Sequence, residues 1–281
     1  MSVSTRDPVV AQHRPRLPLK ARAQLQQASL GAQLEGWRRL VPEATVLTIS
    51  ATLPLGVDAQ RARRALLDLV SGWSKLPTWF EHSSLAFDVS ATGTAADFCE
   101  TLSAKADVAG LGLVLDLPAQ SRQADPTRCP CEGPEALRRL ATLLRPRLAP
   151  TLTLASRWLC SRDDAQWAIE QGLPVRLVPG GDADPQQPQR DPGAGVRALV
   201  RQIAGKVPHV TLAWPEPGAA LDVMRTLRKA GTACDLELPP GSPWGALRQV
   251  ARSAGVPARV HGCWQALSAE LNSPHNAARP Q

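Results

Sequence analysis

The stretch EQGLPVRLVPGGDADP, Glu170 to Pro185, decides the fold. It holds a helix end, a glycine stop at Gly172, a short apolar run with one arginine inside it, and then Pro179-Gly180-Gly181. A glycine just past a helix supplies the left-handed residue that ends it. The run that follows is valine- and leucine-rich, as a buried strand requires. Alternate residues of a strand face opposite sides, so Val175, Leu177 and Pro179 share one face and Arg176 and Val178 the other. Arg176 must then have partners, because a lone buried guanidinium is very costly. Val178 precedes a proline, which favours extended backbone, so the strand survives up to Pro179.

The same unit repeats outward from this stretch. Strands are predicted at 44–50 (ATVLTIS), 84–90 (SLAFDVS), 111–117 (LGLVLDL), 151–156 (TLTLAS), 174–179 (PVRLVP), 209–214 (HVTLAW), 234–238 (CDLEL) and 258–262 (ARVHG). LGLVLDL and PVRLVP read as near-continuous apolar runs, as parallel strands covered on both faces do. Helices are predicted between them. In 58–73, Ala62, Ala65, Leu66, Leu69 and Val70 form one face. In 133–148, Pro134 and Glu135 favour a helix start, and Pro146 ends or kinks it. In 161–172, Ser161 is the predicted N-cap and Asp164 the third helical position. The stretches 216–231 and 244–255 both end in glycine. Eight strands alternating with helices, centred about 23 to 40 residues apart, predict a (β/α)₈ TIM barrel. An open doubly wound sheet is the alternative.

The chain of 281 residues is long enough for one such barrel. Residues 1–20 are predicted to be a disordered basic arm, 21–40 a helical N-terminal extension capping the barrel floor, 41–271 the barrel, and 272–281 a disordered tail. The net charge is +7, but residues 1–40 alone carry a surplus of five positive charges. The body is therefore no basic platform for nucleic acid. No apolar run approaches the roughly 18 residues of a membrane span, and no secretory h-region opens the sequence, so a cytoplasmic location is expected. No feature specifies an oligomeric state. The six cysteines include one close pair, Cys129 and Cys131, with no second pair near it, so no zinc site is expected.

Barrels of this kind place their chemistry at the C-terminal strand ends. The polar residues there are Asp88, Ser90, Asp116, Arg176, Trp214, Asp235, Glu237 and His261. Asp116, Asp235 and Glu237 are the carboxylates available to Arg176 across the mouth. That pairing either serves a small-molecule ligand or simply closes the barrel centre. Gly180 and Gly181 form an ordinary turn or a cradle of backbone N–H groups for a phosphate. Of the five histidines only His209 and His261 fall in strands, and a hydrogen-bonded barrel histidine is the plain reading of His261.

Taken in order, the strands resemble the proline dehydrogenase family, FAD-dependent barrels that oxidise proline. The family carries V-R-L-V-K-G after a helix ending in glycine, matched here by Val175, Arg176, Leu177, Val178 and Gly180. Ser161 and Asp164 match its T-x-x-D-L, Ser90 its V-S-x-K-L-S strand, Asp116 its D-x-E strand end, and Asp235, Glu237 and Gly241 its E-F-Q-x-L-x-G strand. The resemblance covers roughly residues 80–265. It implies FAD at Arg176, Gly180 and Trp214, and substrate chemistry at Arg176, Asp116, Asp235 and Glu237. The departures are equally specific. The family lysines fall on Pro179 and Asp88, its strand-end histidine on Trp214, and its arginine pair has no counterpart in WQALSAELNS. An aspartate in place of a lysine inverts the local field, at about 4 kcal/mol for one like charge at about 4 Å. The expectation is a divergent barrel without proline oxidation, either a binding or regulatory protein or a relic, with its grip on FAD weakened or lost. Trp214 is expected to fill the vacated cofactor cavity. The alternatives are an active flavoenzyme with an altered substrate, or an unrelated barrel enzyme that holds a phosphorylated ligand at Gly180-Gly181.

Overall fold

Leu47 and Ile49 are buried to 0% exposure on one side of the first strand, while Thr48 and Ser50 line a cavity on the other. That alternation recurs around a closed ring. The computed structural model describes residues 19–52, 57–77, 79–88, 96–118, 141–142, 145, 148–155, 158–178, 192–238 and 242–263. The strands are β1 (Val46–Thr52), β2 (His82–Asp88), β3 (Gly112–Pro118), β4 (Ala149–Ala155), β5 (Val175–Val178), β6 (His209–Leu212), β7 (Ala233–Leu238) and β8 (Ala258–Cys263). Each pairs in parallel with the next, and β8 pairs with β1 to close the barrel.

Strands β1 and β2 are displaced furthest from the predicted spans, in a way that leaves the faces intact. Strands β1 and β2 are each displaced by two residues from the predicted 44–50 and 84–90, one forward and one back. Side chains alternate with period two, so a two-residue displacement keeps every residue on its face. The larger difference lies in the character of the strands. The inner face is polar, so the strands are not apolar on both sides. The apolar parity (Leu47, Ile49, Leu85, Leu115, Leu152, Leu154, Val175, Leu177, Val210, Leu212, Leu236, Val260) points outward into one continuous core.

Covering that core are α1 (Leu19–Leu40), α2 (Val57–Gly72), α3 (Ala96–Ala109), α4 (Trp158–Gln171), α5 (Pro192–Ile203), α6 (Pro217–Lys229) and α7 (Trp244–Ala254). Leu66 and Val70 of α2, Leu199 and Val200 of α5, Met224 and Leu227 of α6, and Leu247 of α7 are almost wholly buried against the sheet. Each such side chain contributes roughly 1.5–3 kcal/mol on burial. Gly172 after α4 and Gly255 after α7 adopt φ of 60° and 62°, the left-handed geometry that lets the chain turn into the next strand. Helix α4 starts at Trp158, so Ser161 lies inside it and is not its cap. No glycine or proline stands between Ala155 and Ser161 to hold the helix back. Of the predicted helix at 133–148, the described residues include only the helical pair 141–142 and two isolated positions.

Helix α1 packs laterally and does not cap the floor. Its Trp37 ring lies over Gly262 on the outward face of β8. Arg248 of α7 donates to the Leu40 carbonyl at 3.1 Å, and both Arg248 and Arg252 pair with Glu43. Helix α1 also contacts α2. No helix among the described residues is long and apolar enough to cross a membrane.

Candidate active site in the barrel lumen

The inward parity of the strands carries the polar residues. Thr48 and Ser50 come from β1, Asp116 from β3, Thr151 and Thr153 from β4, Arg176 from β5, His209 and Thr211 from β6, Asp235 and Glu237 from β7, and Arg259 and His261 from β8. Parallel pairing sets their heights. Arg176 lies in register with Thr153 and Thr211, Thr211 with Asp235, and Glu237 with Arg259. The ion pairs run diagonally to that register, Arg176 to Glu237 and Arg259 to Asp235, and form two tiers.

The tier nearer the strand starts is built on Asp235. Arg259 donates from Nε and Nη2 to Asp235 Oδ2 at 2.8 and 2.6 Å, and from Nη1 to Thr48 Oγ1 at 2.8 Å. His209 Nε2 stands 3.3 Å from the same carboxylate oxygen. Burial pushes the Asp235 carboxyl up, but His209 and Arg259 outweigh it and hold the group below its ordinary range.

The second tier joins Arg176, Glu237, Asp116 and His261. Arg176 donates from Nε to Glu237 Oε2 at 2.8 Å and from Nη2 to Oε1 at 2.7 Å, the bidentate arrangement that matches a guanidinium to a carboxylate. Its Nη1 lies 3.7 Å from Asp116 Oδ2. Thr153 Oγ1 donates to Asp116 Oδ1. His261 Nδ1 stands 3.3 Å from Glu237 Oε1, and its Nε2 lies 3.1 Å from Ser50 Oγ. Glu237 is the deepest of these groups, its side chain 2% exposed.

Two groups of this tier are displaced in opposite directions. Burial pushes the Asp116 carboxyl up, against the help that Thr153 and Arg176 give its ionised form. Burial pushes the His261 imidazole down, with Arg176 and Arg259 adding to the effect and Glu237 opposing it. A carboxyl pushed towards its protonated form and an imidazole pushed towards its neutral form face one cavity. Its volume is about 200 Å³, and Ser50, Asp116, Arg176, Glu237, Arg259 and His261 are among the residues that line it.

The structure thus brings Arg176, Asp116 and Glu237 together as the strand-end reading requires. It corrects the partner list at Asp235, which belongs to Arg259. Trp214 does not fill the cavity. It follows β6 on the parity of Leu212, sits in the apolar core at 5% exposure, and is absent from the described residues lining the lumen. Asp88 ends β2 in backbone register with Asp116. Pro179, Gly180, Gly181, Ser90, Gly241, the Cys129–Cys131 pair, the basic arm at 1–18 and the tail at 272–281 lie outside the described residues. Among the described residues no group of three or more His, Cys, Asp or Glu is placed to hold a metal ion.

Arg259, Ser50 and the threonines are site residues that a search of strand ends misses, because Arg259 is the second residue of its strand and Ser50 sits in mid-strand. The signal that finds them is alternation: LTIS, TLTL, VRLV, DLEL and RVH each set polar residues one position apart from apolar ones.

No protein-family model matches the chain, and no curated protein matches it. Solved structures that match include the YdjI aldolase of Escherichia coli K12, at 11% identity and a TM-score of 0.43, covering 88% of this chain and 87% of that one. Another is described as a "putative alpha-L-fucosidase" from Bacteroides thetaiotaomicron VPI-5482, at 10% identity and a TM-score of 0.48, covering 78% of this chain and 86% of that one. At such distances neither protein says anything about chemistry here. The chain is a (β/α)₈ TIM barrel on the strength of its own strand pairing.

Proposed function

We propose that the lumen is a receptor for a small uncharged or cationic polar molecule, in a barrel of proline-dehydrogenase ancestry that has lost proline oxidation and its grip on FAD. One observation carries this reading. Arg176, the residue that the resemblance sets against a flavin, gives Nε and Nη2 to Glu237 and faces Asp116 with Nη1. An amino-acid carboxylate needs a cation with unspent charge. Both lumen arginines are already neutralised by carboxylates, and Arg176 has two around it. The same neutralisation speaks against a flavin, whose pyrophosphate needs positive charge. The cavity, at about 200 Å³, is also smaller than the roughly 300–1,000 Å³ of pockets for drug-sized ligands. It suits a molecule of a few heavy atoms.

The test compares ligand classes on the purified protein. Erythritol and ethanolamine are expected to raise the melting temperature, while proline and inorganic phosphate leave it unchanged. The preparation is expected to be colourless, to retain no FAD after incubation and desalting, and to reduce no dye with proline. A yellow protein that turns over proline overturns the reading in favour of an active flavoenzyme. A shift with phosphate alone favours a barrel enzyme for phosphorylated ligands.

A further inference from the structure

Ser50, His261 and Glu237 sit on three neighbouring strands, β1, β8 and β7, and follow one another in that order. His261 Nε2 lies 3.1 Å from Ser50 Oγ, and His261 Nδ1 lies 3.3 Å from Glu237 Oε1. Glu237 is itself fixed by the two hydrogen bonds from Arg176. The order hydroxyl, imidazole, carboxylate is that of an activated serine, which is recognised by geometry and roles and not by position in the chain. We propose that Ser50 is a nucleophile for acyl transfer from a small uncharged ester, with His261 as its base and Glu237 positioning the imidazole. This rests on the reading of the lumen as a receptor for small uncharged polar molecules.

The parts are consistent with the step. Ser50 Oγ adds to the carbonyl carbon while its proton passes to His261 Nε2. The bond to the leaving oxygen then breaks, and that oxygen takes the proton back from Nε2. Water repeats the sequence: it adds to the acyl carbon, gives its proton to Nε2, and releases the acid as the proton returns to Ser50 Oγ. The backbone N–H of Ser50 cannot serve the oxyanion, because β1 is paired on both sides, with Ala86 and with Cys263 opposite Ser50. Arg176 Nη1 can. At 3.7 Å from Asp116 it is beyond hydrogen-bond length, and it faces the same cavity. A neutral ester needs only such a donor, not a free cationic charge.

Two further observations fit a working site better than a sealed core. His261 Nδ1 is buried and makes no well-directed hydrogen bond, although Glu237 Oε1 is within reach. A small ring rotation closes that contact, and such bonds commonly tighten only when substrate binds. Burial, with Arg176 of β5 and Arg259 of its own strand and against Glu237 of β7, also shifts the imidazole towards its neutral form, which can accept a proton. A permanently protonated histidine could accept nothing from Ser50.

Methanesulfonyl fluoride, small enough for the cavity, is the probe. The full chain is expected to take one sulfonyl group, mapped by peptide mass to Ser50, and Ser50→Ala to take none there. His261→Gln is expected to slow labelling about a hundredfold, the lower range of a general base. In the unmodified chain the labelling rate is expected to stay flat through neutral pH and to fall only on the acid side of 6.5, the ordinary imidazole value. That profile needs no variant, so it tests the assignment even if His261→Gln folds poorly. Absence of label at Ser50, equal labelling of other serines, or a rate that ignores pH overturns the nucleophile. If Ser50 takes no label while erythritol still raises the melting temperature of the unmodified protein, the acyl-transfer step falls and the receptor reading stands.

Discussion

Arg176 and Glu237 are joined side-on at 2.8 and 2.7 Å, from β5 to β7 across the barrel, with Glu237 almost wholly shielded from solvent. Both residues line the lumen cavity. Through the pair Asp116, on β3, and His261, on β8, are brought into one electrostatic unit.

Breaking the pair from one side leaves a buried carboxylate without its counter-ion. Arg176→Met is therefore expected to destabilise the fold by about 3–5 kcal/mol, whereas Arg176→Met with Glu237→Leu recovers most of that loss. Urea unfolding of the single and double variants measures it. An equal loss in both would mean that the pair is not the source of the cost.

The pH dependence follows from two depressed groups acting in separate windows. His261 is held below its ordinary 6.5, so on acidification the unfolded chain takes up its proton first. The stabilisation from His261 is complete above 6.5 and is lost as pH falls from there towards the folded value. Asp235 is held below 3.8, so its contribution is present above that pH and disappears only as pH drops through its folded value. Stability measured by denaturant titration should thus begin to decline just below pH 6.5. His261→Gln should flatten that first decline and leave the second, more acidic one in place.

The strand pattern made the barrel legible, and Val175–Arg176–Leu177 shows why. A polar residue flanked by two outward apolar ones states both the strand and its faces. Two-residue errors in β1 and β2 cost nothing, because they preserve those faces. Pairing was less legible. Asp116, Asp235 and Glu237 all have the right charge for Arg176, and only register and strand tilt decide that Asp235 goes to Arg259 instead. Trp214 was open to misreading because the parity of a residue just beyond a strand is set by where the strand stops. Helix α3 carries its signal in Phe98, Cys99, Leu102 and Ala106, all buried on one face, but with few leucines the periodicity is faint.

Gly262 marks where the N-terminal helix meets the barrel. An added Cβ there would lie 2.2 Å from the Trp37 ring, so the ring or the strand must shift to admit it. Gly262→Ala is expected to cost about 1–3 kcal/mol, the usual range for overpacking. In a Trp37→Ala background the same substitution should cost much less, because the obstructing ring is gone. Thermal melts of the four proteins in that cycle check the contact between α1 and β8. Additive effects would place the helix elsewhere.

Asp116 provides a prediction of opposite sign to His261. Burial raises its folded affinity for a proton above that of the unfolded chain, so ionisation works against the fold. The penalty is absent well below the unfolded value of 3.8, grows as pH rises from there through the folded value, and is complete above it. Asp116→Asn keeps an oxygen to accept from Thr153 and carries no charge at any pH. Its stability relative to the unmodified protein should therefore climb as pH rises above 3.8 and then level off. Paired denaturant titrations across the acid range measure this difference. A difference that instead falls with pH would mean that Arg176 stabilises the Asp116 carboxylate more than burial opposes it. Asp116 would then add to the stability of the fold as a carboxylate and not subtract from it.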